Sequence, residues 1–353
     1  MIKQFKLGFG PMSKEIVEIL ASRSKQTNTP LMIIASRNQV DASTGYVCTS
    51  GQLADMIAPY KTEHLLLCRD HCGPYFADLD RGLDLAAAME RCKETIRADV
   101  ASGFDLIHID VSKVPADQLV CAKELIDFTL SLNPNIMLEF GSEDNTGVDL
   151  AGSIGRIEPQ LEFLEQYKNN VKFFVTQTGS LTKDKQMGSF DLETNKEVAK
   201  KIHAAGLLFK EHNADYFTAE DLTLRSDAGV DSLNIAPQLG KIQTDLLKEV
   251  APSAEWQQFA DYVYSKGNWR RWVNDEGADK DNAVSVAGHY CFNSDAYDKL
   301  VAALDKDAFN AELGKRINAL VDFYKKFEEE CEFRELLKRR LEELRKRDPF
   351  IYR

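Results

Sequence analysis

Between residues 5 and 250, short apolar, β-branched runs alternate with stretches of helical periodicity. The runs at 6–9, 30–36, 64–69, 106–111, 135–140, 172–176, 207–211 and 232–235 are strand-length and bounded by polar or turn residues. Between them, 13–23, 50–60, 84–101, 115–132, 157–167, 195–205, 218–228 and 238–250 carry apolar residues at helical spacing. Ser13, with Glu15 in the first turn, and the Thr218-x-x-Asp221 pair are helix-start signals. Strict alternation of strand and helix calls for parallel strands joined by right-handed crossovers. Eight such units predict an α/β chain, a closed (β/α)8 TIM barrel, over 1–252. An open doubly wound sheet is the competing arrangement, but no Gly-x-Gly-x-x-Gly opens a helix after the first run, which removes its dinucleotide-binding form.

Past this repeat, 253–353 reads as a C-terminal helical extension packing on the barrel, with one helix over 256–264 and a long one over 309–346. Between them a polar loop at 266–281 surrounds Trp269-Arg270-Arg271-Trp272. The long helix spaces Leu313, Ile317, Leu320, Tyr324, Phe327 and Cys331 by four and three, a seam for the chain's own barrel or for a partner subunit.

Composition narrows the function. The 353 residues hold 44 basic and 56 acidic side chains, a net charge of −12, which opposes nucleic-acid binding. No run is long and apolar enough to cross a membrane or to serve as a secretory signal. The seven cysteines are scattered, with no paired zinc-ribbon spacing, as expected of reduced thiols in the cytoplasm.

In a parallel barrel the polar residues at the carboxyl ends of the strands face the site. That filter selects Ser36, Arg37, Asn38, Gln39 and Asp41 after the second strand, and Asp70 and His71 after the third. It also selects Asp110, Glu143, Gln177, His212, Asn213 and Asn234 on or after the later strands. Two histidines and a carboxylate at one mouth could hold a divalent metal that polarises a carbonyl, while Asp70 moves a proton nearby. His108 lies inside a strand between Ile107 and Ile109, where a hydrogen-bonded core histidine is the favoured reading. Arg37, Arg270 and Arg271 are candidate phosphate clamps, and His289-Tyr290 could close over the site from the extension.

Several stretches in fixed order resemble the family that contains the non-catalytic subunit of class II tagatose-bisphosphate aldolase. They include Ser36-Arg-Asn-Gln-Val-Asp41, Arg69-Asp-His-Cys-Gly-Pro74, Gly103-Phe-Asp-Leu-Ile-His-Ile-Asp110, Gly141-Ser-Glu143 and Glu211-His-Asn-Ala-Asp-Tyr216. The last is the segment from Gly267 to Tyr290. The resemblance implies a class II aldolase-like barrel with Asp70 and Glu143 in catalytic positions and a metal, zinc, at His71, Glu143 and His212. Gln177 stands where the catalytic aldolases carry a third histidine, a harder and weaker ligand. Ser36, Asn38, Gln39, Asp41, Asp110, Asn213, Asn234, Arg270, Arg271 and His289 are the expected substrate-binding residues. The expected activity is aldol or retro-aldol chemistry on a ketose or ketose phosphate, as a lyase or a C4-epimerase. The alternative is a stabilising subunit without chemistry of its own. The expected partners are a small sugar or sugar phosphate and either a second copy or an aldolase subunit.

Overall fold

The computed structural model describes residues 2–142, 150–273 and 279–347. Among the described residues there are ten strands: β1 (Leu7–Phe9), β2 (Leu31–Ser36), β3 (Val40–Asp41), β4 (Cys48–Thr49), β5 (Leu65–Cys72), β6 (Leu106–Asp110), β7 (Met137–Ser142), β8 (Val171–Thr176), β9 (Leu208–Glu211) and β10 (Ser232–Ile235). Eight of them close into a barrel in the order β1-β10-β9-β8-β7-β6-β5-β2. Every barrel pairing is parallel. The eight apolar runs of the sequence are these eight strands. The predicted (β/α)8 barrel is the observed fold, and the open sheet is excluded by closure of β1 on β10.

The barrel helices are α1 (Lys14–Thr27), α2 (Ser50–Ile57), α3 (Leu85–Ala101), α4 (Gln118–Leu132), α5 (Leu150–Leu164), α6 (Leu192–Ala204), α7 (Ala219–Ala228) and α8 (Pro237–Val250). The start signals act as expected. Ser13 accepts a hydrogen bond from the Ile16 amide, and Thr218 and Asp221 form a reciprocal capping box. After the barrel come α9 (Ser253–Lys266), α10 (Lys280–Ala287), α11 (Asp295–Ala302) and α12 (Lys306–Arg347). The expected polar loop at 266–281 holds a short 3-10 turn, Asn268–Arg271, and gives way to α10 at Lys280. Neither α11 nor the two-residue β3–β4 ladder was expected, because elements this short carry no readable periodicity. The seam of α12 is buried from Leu313 to Cys331 and packs on α1, α7 and α8.

Strand alternation sorts the interior into layers. The main core lies between the strands and the helix ring. A separate apolar plug of Phe5, Met32, Ile34, Cys68, Leu106 and Phe173 fills the barrel. Two residues further along the same strand faces the interior turns polar: Leu106 is followed by His108, Met137 by Glu139 and Leu208 by Lys210. One more step reaches Asp110 and His212 at the carboxyl mouth. The plug therefore serves as a dry floor under a charged layer.

Candidate functional site

The floor is capped by a buried ion pair. Lys210 Nζ lies 2.6 Å from Glu139 Oε2, and both side chains are about 1% exposed. The other Glu139 oxygen is 3.0 Å from His212 Nε2. Burial pushes the Glu139 carboxyl up, but Lys210 and the histidines outweigh it and hold the group down at about 2. Glu139 is therefore an anion at neutral pH, and it fixes the orientation of the His212 ring.

Above this pair β5 breaks its alternation. Adjacent residues of a regular strand point to opposite faces, so Asp70 and His71 could not both face the centre. The register with β6 shifts between Arg69 and Cys72, and His71 takes a left-handed backbone with φ of 44°. The His71 amide then donates to His108 Nδ1 at 3.3 Å, and its ring turns inward. The carboxylate of Asp70 and the rings of His71, His108 and His212 consequently converge, with one potential ligand atom from each lying within 4.8 Å of all the others.

The detailed geometry fits a divalent cation. His71 Nε2 and His212 Nδ1 are 3.2 Å apart. Two nitrogens on one tetrahedral zinc, each at about 2.1 Å, stand roughly 3.4 Å apart. Asp70 Oδ1 is 3.4 Å from His108 Nδ1 and 3.7 Å from His212 Nδ1. The remaining nitrogen of His71 is held by Asp110 at 2.7 Å, as that of His212 is held by Glu139. Carboxylates behind the rings are the usual means of aiming imidazoles at a metal. Burial pushes the His212 pKa below its ordinary value despite Asp70 and Glu139, which favours the neutral form that a metal requires. Burial works against ionisation of Asp70, yet the surrounding histidines hold its carboxyl well below the usual range. His108 is fully buried, and its Nε2 has no hydrogen-bond partner. Its Nδ1 accepts from the His71 amide, so His108 is a hydrogen-bonded interior histidine, as favoured from sequence, and also one of the four grouped residues.

The cluster opens into a cavity of about 340 Å³, within the range of small-molecule sites. Of the substrate-binding residues expected from sequence, Ser36, Asn38, Gln39, Asn213, Asn234, Arg271 and His289 line it. Asn234 is 4% exposed, and neither atom of its amide has a partner. Gly8 on β1 makes room for it, since a Cβ there would lie 2.4 Å from Asn234 Oδ1. His289 arrives from the extension, 1% exposed, with both ring nitrogens unpartnered. Burial, helped by the charge of Arg271, pushes its pKa down to about 3, so the ring is neutral. A Cβ at Gly240 on α8 would stand 2.6 Å from the His289 Cβ, so only glycine admits the ring there.

Other expected residues lie elsewhere. Asp41 is buried beneath β2 and accepts from Thr95 Oγ1 at 2.5 Å. Asp110 sits behind His71 and does not line the cavity. Arg37 is spent internally on Asp80, the Gly73 carbonyl and Thr95. Arg270 stacks on Trp269, with its guanidinium 4.3 Å from the ring centroid, and does not line the cavity. Gln177 accepts from the Gly179 amide at 3.1 Å and is outside the four-residue cluster. Glu143 lies outside the described residues.

Sequence reasoning missed two cations on the rim, Lys113 and Lys183. Lys113 stands three residues past Asp110, where the strand-end filter could have found it. Its ammonium is 4.2 Å from the centroid of the Phe76 ring, and burial outweighs Asp110 and Asp78 to push its pKa down. Lys183 is in the loop after β8, which gave no periodic signal, and donates to the Arg271 carbonyl at 2.9 Å.

Comparison with known proteins agrees with this architecture. Residues 12–129 match the model of a family described as D-tagatose-1,6-bisphosphate aldolase subunit GatZ/KbaZ-like. The GatZ subunit of that aldolase from Klebsiella oxytoca is 33% identical over 111 residues, which is 30% of this chain and 26% of that protein. The match thus spans about a quarter of the curated relative. A solved probable tagatose 6 phosphate kinase from Sinorhizobium meliloti 1021 superposes with a TM-score of 0.73 at 16% identity, covering 91% of this chain and 99% of that one. The fructose-bisphosphate aldolase of Campylobacter jejuni gives 0.54 at 14% identity, covering 92% and 91%. At these identities the structures share the fold alone. Over residues 12–129, the stretch that carries the Asn-Gln-Val-Asp and Asp-His-x-Gly-Pro runs, the chain resembles the GatZ/KbaZ-like subunits of tagatose-bisphosphate aldolase, as its motifs predicted.

Proposed function

We propose that this protein is a metal-dependent enzyme acting on a ketose or ketose phosphate by retro-aldol chemistry. The observation that carries the reading is the convergence of Asp70, His71, His108 and His212 over a dry floor, with Asp110 and Glu139 aiming two of the rings. The three histidines, His71, His108 and His212, would hold the ion beside Asp70, and zinc suits such a histidine-rich set. A bound divalent ion supplies polarisation of the carbonyl beside the bond that breaks.

The chain's own groups do the rest. The Asp70 carboxylate, held ionised by its neighbours, takes the proton of the carbinol hydroxyl as the adjacent carbon–carbon bond breaks. It returns that proton when the bond re-forms. Delivery of a proton to the carbon that lost the bond lets both fragments leave and gives a lyase; re-addition of that carbon to the other face of the carbonyl gives an epimerase. Asn234 and neutral His289 offer unspent donors and acceptors to sugar hydroxyls. Arg271, Lys113 and Lys183 ring the opening and suit a phosphate or another anionic terminus.

Elemental analysis of the purified protein, followed by a screen of ketoses and ketose phosphates, tests this reading. About one divalent ion per chain, with turnover lost on chelation and restored by that ion, is expected. Metal-free protein that stays active sinks it.

A second reading, a stabilising subunit for an aldolase, is favoured by α12. Beyond Cys331 this helix exposes Phe333, Leu336 and Leu337. The relative from Klebsiella oxytoca is itself named a subunit. Native mass measurement separates the two: a homo-oligomer that carries its own metal and turns over substrate leaves no need for a helper role. The cysteines fit a reducing cytoplasm, since all seven are free and buried. Among the described residues no helix is long and apolar enough to cross a membrane.

A further inference from the structure

At the opposite end of the barrel, where β1, β9 and β10 begin, the distal part of α12 crosses the ends of α6 and α7 and leaves a cleft of about 620 Å³. Its charge runs against that of the chain. Lys3, Lys6, Lys196, Lys200, Arg334 and Lys338 line it against Asp227, Asp231 and Glu335, so 6 − 3 leaves an excess of three positive charges in a protein of net charge −12.

The acids are largely engaged. Asp231 bonds His203 and Asp227 pairs with Arg334. Lys196 has Glu193 outside the cleft. Lys3, Lys6, Lys200 and Lys338 make no ion pair among the described residues. Helices α6 and α7 end at the cleft, and each C-terminus attracts cations with about half a charge, which leaves roughly two of the three positive charges unmatched.

Lys6 is the least ordinary member. It is only 8% exposed and makes no ion pair among the described residues. Glu328 on α12 feels its charge, but burial pushes that carboxyl up to about 7, so it is only part-ionised at neutral pH. A bound anion would give Lys6 the full counter-charge that part-ionised Glu328 does not supply. Lysines dominate the lining, and lysine recognises phosphate as a point charge. Among the described residues no Phe, Tyr or Trp lines the cleft, which disfavours a nucleobase.

We propose that this cleft is a second, non-catalytic binding site for a small non-aromatic polyphosphate, of which pyrophosphate is the simplest. It is separated from the Asp70 cluster by the apolar plug of the barrel, so occupancy at one end is independent of direct contact with the other.

The test is calorimetric titration of the full chain with pyrophosphate, with inorganic phosphate and sulfate as comparison anions. One saturable site preferring pyrophosphate by at least tenfold is expected. Lys6→Met should weaken it at least tenfold. Lys200→Glu combined with Lys338→Glu, both exposed and neutral for folding, should abolish it. Arg271→Ala combined with Lys183→Ala, at the other mouth, should leave it unchanged. If Lys6→Met misfolds, the exposed double variant still decides the matter. The proposal is overturned if pyrophosphate does not bind, if sulfate binds equally well, if Lys200→Glu with Lys338→Glu binds like the parent, or if the Arg271 and Lys183 substitutions remove the binding.

Discussion

The two mouths of this barrel handle charge in opposite ways. At the carboxyl mouth ionisable groups are packed tightly and answer one another: Asp110 holds His71, Glu139 holds His212, and Lys210 neutralises Glu139. At the amino mouth lysines are gathered with too few acids, and largely buried Lys6 makes no ion pair among the described residues. A closed network sets geometry, which suits catalysis, because each ring and carboxylate is locked by a neighbour. An open excess sets potential, which suits capture of an oppositely charged ligand. The apolar plug between them keeps the two arrangements apart.

That contrast can be broken or sharpened by substitution. The largest effect is expected at Asp70. Asp70→Asn removes the proton acceptor while keeping the shape, so kcat on the best ketose substrate should fall about a thousandfold with KM little changed. Steady-state kinetics on metal-replete protein checks this, and a variant retaining a tenth of the parental rate would end the assigned role. Next, Glu139→Gln releases the His212 ring and leaves Lys210 without its counter-charge. Metal affinity should drop about 10- to 100-fold in competition with a chelator, as it does when the carboxylate behind a metal-bound histidine is lost. An unchanged affinity would show that the network does not aim the ring.

A smaller, selective effect is expected on the rim. Arg271→Ala should raise KM about tenfold for a phosphorylated ketose and leave the unphosphorylated sugar unaffected. Equal changes for both sugars would remove Arg271 as an anion contact.

The smallest effect tests the amino mouth. Burial raises the Glu328 carboxyl from its ordinary 4.5 to about 7, so the folded state binds its proton more tightly than the unfolded chain. Its stabilising contribution is complete below about 4.5 and is lost as pH rises through 7. Glu328→Gln should therefore melt about 2 °C above the parent at pH 8 and match it at pH 4.5. A difference that does not shrink toward acid pH would contradict the assignment.

Much of the carboxyl mouth was legible beforehand because barrel strands announce their ends. Asp70, His71, His212 and Asn234 were all selected by position, and each lines the same cavity, as does Arg271, which was singled out as a phosphate clamp in the extension. For His108 the sequence favoured a core role and did not reveal its place in the cluster, for a specific reason. Its isoleucine neighbours point outward to the helices, and alternation therefore sends the histidine into the barrel, where an interior position can be either core or site. Arg37 and Asp41 passed the same filter yet fold back beneath the rim, since the chain after β2 turns into the short β3–β4 ladder. Lys183 was invisible because its loop has no period to read.

The sequence by itself determined the barrel. Eight apolar runs separated by amphipathic stretches can bury their strands on both faces in few other ways, and this preference is set locally by side-chain polarity and spacing. Which charges meet was decided only by closure of the barrel. Residues 70, 108 and 139 belong to three different strands and 212 lies just past a fourth, and their separations depend on strand register and on one bulge at His71. A one-residue slip in any of those ladders would turn the corresponding side chain away from the centre, and no local pattern in the chain encodes that register.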